Sequence, residues 1–185
     1  ITKGLPSIGD PNVLVIPVEF TDCKAPSSMV EDLKTAFFGT SEQTGWESLS
    51  SYYQKSSYGK INIKGDVMKP FNTGKTVSYY EKLQKEFNKA LENYTKGLTD
   101  VYPDNVEYSI IKEALAYYDG EIDYSKYDTN NDGYIDSIYL VYTTDYNAED
   151  SDSLWWAFTT EYFSSEEQKY DNVEADFYIF MSYRF

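Results

Sequence analysis

Oxygen-bearing side chains recur at alternate positions between Asp128 and Asp136, and they are the residue types that hold a hard cation such as calcium. Asp128, Asn130, Asp132 and Asp136 would supply side-chain oxygens and Tyr134 a backbone carbonyl. Gly133 would supply the sharp turn that lets them converge. Carboxylates set so close need a cation, since two unit charges about 4 Å apart repel by roughly 4 kcal/mol at an effective dielectric of 20. The match to the EF-hand pattern is partial: its last ligand position falls on Tyr139, which has no carboxylate. Asp119, Glu121 and Asp123, just upstream, are the candidates for the remaining ligand. The plainer alternative is an Asn-Asp-Gly turn with solvated acids around it. Acids at alternating positions favour calcium over that turn.

Other chemistry is excluded by what the chain lacks. It has no histidine, so Ser-His-Asp catalysis, Cys-His catalysis and zinc sites of the His-Glu-x-x-His type are absent from these residues. The single Cys23 has no imidazole partner and reads as a small buried hydrophobe. Thr73-Gly74-Lys75-Thr76 resembles the end of a phosphate-binding loop, but Lys69 stands where the leading glycine belongs, so the segment reads as a turn. The acids Asp150, Asp152, Glu161, Glu166 and Glu167 could in principle pair for glycoside hydrolysis. In a chain with 31 Asp and Glu they read first as solvated surface. Of the adjacent Trp155 and Trp156, which could stack on sugar rings, one is expected in the core.

The 185 residues suffice for one well-buried domain, and no linker divides them. A formal net charge of −15 argues against nucleic acid and against anionic membrane surfaces as partners. Twenty Tyr separate the chain from acidic disordered tails, and no apolar run is long enough to span a bilayer. One unpaired thiol excludes an internal disulfide and fits a secreted or cell-surface bacterial protein stabilised by calcium. The chain opens at Ile1 rather than Met, and residues 176–185 read as a buried aromatic strand. The natural polypeptide is therefore expected to continue past Phe185, and any signal peptide to precede Ile1.

Positioning elements follow from hydrophobic period and from capping residues. Val13 to Phe20 reads as a buried strand, with Pro17 placing it near an edge or a bulge. Ser28 and Glu31 form a capping-box pair ahead of Val30, Leu33 and Phe37, and Gly39 stops that helix. A short helix is predicted over Trp46 to Lys55, then a half-exposed strand over Ile61 to Lys64. Helices over Tyr80 to Tyr94 and Asn105 to Tyr118 carry one apolar face each. Strands are predicted over Ile138 to Tyr142, Leu154 to Phe163 and the terminal aromatic run. Strands interleaved with helices indicate an α/β or α+β domain with a mixed sheet backed by helices.

Several stretches together resemble the immune-inhibitor-A-like family of secreted bacterial metallopeptidases. They are residues 13–22 (VLVIPVEFTD), residues 51–60 (SYYQKSSYGK), Ile122 to Asp128 running into the acidic loop, Ile138 to Tyr142, and the weaker Ser153-Leu154-Trp155. The blocks occur in the family's order and span most of the chain. The resemblance implies a zincin-like N-terminal subdomain, ending before the zinc helix of a zinc metalloendopeptidase that acts on protein or peptide substrates. Zinc and its His-Glu-x-x-His ligands are expected only in the complete parent domain, so this portion is inactive alone. One departure lies within the covered region: the family often carries a histidine shortly after the Leu-Trp pair, where Trp156-Ala157-Phe158 stands here. The competing expectation is a non-catalytic cell-surface module that binds protein or glycan on the same scaffold.

Overall fold

The computed structural model describes residues 4–147, 149–150, 152–162 and 168–184. In chain order the elements are β1 (Asn12–Glu19), α1 (Met29–Phe38), α2 (Ser41–Thr44), α3 (Leu49–Ser56), β2 (Lys64–Val67), β3 (Phe71–Asn72), α4 (Val77–Thr95) and α5 (Val106–Tyr118). A 3-10 turn at Tyr124–Tyr127 leads to β4 (Ile138–Asp145), β5 (Phe158–Glu161), β6 (Lys169–Tyr170), β7 (Val173–Glu174) and β8 (Phe177–Arg184). The main sheet has the order β2-β1-β4-β8-β5, with β3 also paired to β1. Its strands run parallel except for β5, which is antiparallel to β8. The fold is thus mixed α/β, a mixed sheet backed by helices.

Alternation along β1 sends Leu14, Ile16 and Val18 to one face and Val13 and Val15 to the other, all fully buried. The first face packs under α4 and α5 through Tyr80, Ile110, Ile111, Ala114, Leu115 and Tyr118. The second packs against Met29, Leu33 and Phe37 of α1. A strand covered on both faces must be apolar throughout, which is why β1 reads as a continuous run.

Pro17 does not place β1 at an edge. The strand is interior, and the missing N–H falls where its neighbour is broken. Val15 O accepts from Met68 N at 2.9 Å and Glu19 O from Thr73 N at 3.0 Å. Between those bonds the chain leaves the sheet at Lys69 and Pro70, so no ladder bond is lost. The strand expected at Ile61–Lys64 begins later, at Lys64, with Ile61 only bridged to Gly9. Gly65 permits this pairing, because a Cβ there would lie 2.2 Å from Val13 O.

Ser28 makes no side-chain cap; it sits in helical conformation, and Met29 N is already satisfied by Pro26 O at 3.0 Å. The capping boxes are at Thr40 with Gln43 and at Ser48 with Ser51. The strand expected over Leu154–Phe163 shrinks to β5, and Phe163 lies outside the described residues. Local bonds explain the loss: Ser153 Oγ accepts Trp155 N, and Leu154 O accepts Trp156 N, each at 3.0 Å. Trp155 is buried in the core and Trp156 exposed. Cys23 is half-buried rather than buried, its Sγ 3.4 Å from Thr143 O. No helix among the described residues is long and apolar enough to cross a membrane.

Candidate calcium loop

The acidic loop hangs between the 3-10 turn and β4. Asp128 ends the turn, donating its N–H to Ser125 O at 3.3 Å. Its carboxylate then accepts from Asp132 N at 3.0 Å and from Gly133 N at 2.9 Å. Asn130 Oδ1 accepts from the same Asp132 N at 3.1 Å, so oxygens of Asp128 and Asn130 gather around one nitrogen. Asn130 Nδ2 donates to Asp132 Oδ2 at 3.0 Å, and Asp132 Oδ1 accepts from Tyr134 N at 3.0 Å. This curl requires left-handed backbone at Asn131 (φ 56°) and Gly133 (φ 90°), residue types that tolerate it.

Asp136 is used differently. Its carboxylate accepts from Thr129 Oγ1 at 2.6 Å, Thr129 N at 3.2 Å and Asn12 N at 3.1 Å, and it is buried. Burial pushes its carboxyl above the ordinary range, the three hydrogen bonds pull it back, and the Asp128 charge pushes it further up. Asp136 therefore stitches the loop to β1. Asn12 reinforces the stitch by donating Nδ2 to Lys126 O at 2.9 Å.

The upstream acids do not complete a ligand set. Asp123 Oδ1 caps the 3-10 turn at Ser125, Glu121 pairs with Lys69 at 2.9 Å, and Asp119 ends α5. Among the described residues no three Asp, Glu, Cys or His side chains form a metal-holding group. What the loop brings together is Asp128, Asn130 and Asp132, a hard all-oxygen set suited to calcium and not to zinc. With no histidine and one cysteine, the chain cannot form a zinc site of the His-Glu-x-x-His or multi-cysteine type.

A second support escaped the sequence reading. The β6–β7 hairpin docks on the loop, with Ile135 N to Glu174 O at 2.8 Å and Glu174 N to Gly133 O at 3.0 Å. Asp171 Oδ2 also accepts from Tyr124 N at 2.8 Å. The hairpin turn, Asp171-Asn172, has both residues left-handed (φ 50° and 68°). Asp-Asn between Tyr170 and Val173 was the available signal, weak because the flanking strands have two residues each.

Of the acids weighed for glycoside chemistry, Asp150 and Asp152 line a cleft beside α4, and Glu161 ends β5. Glu166 and Glu167 lie outside the described residues. No family model matches this chain, and no curated protein is similar to it in sequence.

Proposed function

We propose that this chain is the calcium-stabilised N-terminal portion of a secreted or cell-surface bacterial zinc metalloendopeptidase-like protein, with a zincin-like sheet. The observation that carries the calcium part is the convergence of Asp128, Asn130 and Asp132 on one turn, braced from both sides. The peptidase part is supported by the sequence blocks that resemble the metallopeptidase family, which fall on β1, on α3 with its following turn, on the loop and on β4. Zinc, the residues that hold it and the protein or peptide substrate belong to the parent, and no catalytic step is assigned to residues of this chain. Casein cleavage by the full-length protein tests the lineage. Activity abolished by a zinc chelator and restored by zinc is the expected result, and no cleavage under any metal condition would remove the enzyme reading.

A second reading, a non-catalytic protein- or glycan-binding module, is favoured by the exposed rings of Trp46, Tyr52 and Tyr58 around α3. Binding to a glycan array that is lost on Trp46→Ala would favour it over the first.

A further inference from the structure

A cleft runs along one side of α4, on the sheet face that also carries α5. One section, about 330 Å³, has aromatic walls from Phe87, Trp156 and Phe158, with Glu107 and Asn105 also lining it. A second section, about 450 Å³, adjoins it through Gln84 and Leu154, which line both. Glu81, Asp150 and Asp152 line that section, together with one basic residue, Lys85.

Glu107 is 4% exposed and accepts a hydrogen bond from the Tyr178 hydroxyl. Among the described residues, no lysine or arginine is ion-paired with Glu81, Glu107, Asp150 or Asp152. Trp156 is 46% exposed, its ring 4.8 Å from that of Phe158. Aromatic faces beside uncompensated carboxylates suit a side chain with an apolar stem and a cationic head. Acids line both adjoining sections, Glu107 in one and Glu81, Asp150 and Asp152 in the other, which suits more than one such side chain on an extended polypeptide. A net charge of −15 would also concentrate cationic partners near it.

We propose that this cleft is a docking site for a basic, extended segment of a partner polypeptide. One lysine or arginine head group sits against Glu107 with its stem on Trp156 and Phe158, and further basic side chains meet Glu81, Asp150 and Asp152. The inference does not rest on the peptidase reading and survives its failure.

The test uses the whole chain and a fluorescein-labelled peptide alternating lysine and alanine, titrated by anisotropy at physiological ionic strength. Trp156→Ala, and separately Asp150→Asn with Asp152→Asn, are expected to weaken binding about tenfold with the melting temperature little changed. These are surface changes, so the test stands even if Glu107→Gln fails to fold. Glu31→Gln with Glu42→Gln, on α1 and α2 away from the cleft, should change binding less than about twofold. Equal weakening by that remote pair would mean diffuse attraction to an acidic protein and overturn the proposal. It would also be overturned by the absence of saturable binding, or by lysine amide alone binding as tightly as the peptide.

Discussion

At Asp128 and Asp132 the carboxylates meet backbone N–H groups, which offset only part of their mutual repulsion. On the proposed calcium reading, a bound cation would offset the rest. Wild-type protein at a hundredfold excess of calcium over Kd should therefore gain about 2.7 kcal/mol. The double variant Asp128→Ala with Asp132→Ala should melt at one temperature with calcium or chelator. Scanning calorimetry across a calcium series reads this directly, and a wild type indifferent to calcium would reduce the loop to a turn. Glu107 has a different problem, because burial is the main cause that raises its carboxyl pKa, against opposing hydrogen bonds from Tyr178 and Asn105. With the folded value above the unfolded one, its contribution to stability is full below about 4.5 and is lost as pH rises through the folded value. Glu107→Gln should gain stability relative to wild type as pH rises from acid to neutral, measured as the difference in melting temperature. Tyr178→Phe removes the hydroxyl donor and should cost about 1–3 kcal/mol in chemical denaturation.

Among the elements, β2 depends on a close approach at Gly65, and the β6–β7 hairpin on left-handed backbone at its turn. Gly65 packs so closely that a Cβ would also meet the Phe38 ring at 2.7 Å. Gly65→Ala is expected to cost about 1–3 kcal/mol and to loosen β2 from β1, seen as faster amide exchange over Lys64–Val67. Asn172→Val places a β-branched residue at φ 68° and should cost about 1–2 kcal/mol. Because Glu174 bonds to both Gly133 and Ile135, that variant should also shift the calcium midpoint upward. An unchanged midpoint would show that the hairpin is a passive neighbour of the loop. Two of the N–H groups at the N-terminus of α4 find acceptors outside the helix, Tyr79 N on Thr76 Oγ1 and Val77 N on Asp22.

Over the whole molecule, the excess of acids opposes compaction. With a net charge of −15, raising salt in the presence of chelator should raise the melting temperature by screening self-repulsion. Calcium should flatten that salt dependence, since it removes charge where acids are densest. A melting temperature that falls with salt would mean that attractive pairs such as Lys55–Glu47 and Lys24–Glu19 outweigh the repulsion.

Local period was enough to find β1, α4, α5, β4 and β8, because each buries a face whose spacing is written in consecutive residues. Composition excluded histidine chemistry within these residues, and spacing picked out Asp128, Asn130, Asp132, Tyr134 and Asp136 as an oxygen-rich loop, of which the structure gathers the first three around one turn. Tertiary structure decided the rest. Pro17 is tolerated inside the sheet only because β2 and β3 leave a gap opposite it. Asp136 is committed to Asn12, 124 residues away in sequence, and Glu174 braces a loop some forty residues before it. The cleft beside α4 joins acids from α4, α5 and the segment before β5, none of them neighbours in the chain. Hydrophobic period is a property of adjacent residues, whereas a carboxylate's role is set by the donor it meets, and that donor arrives only when distant segments pack.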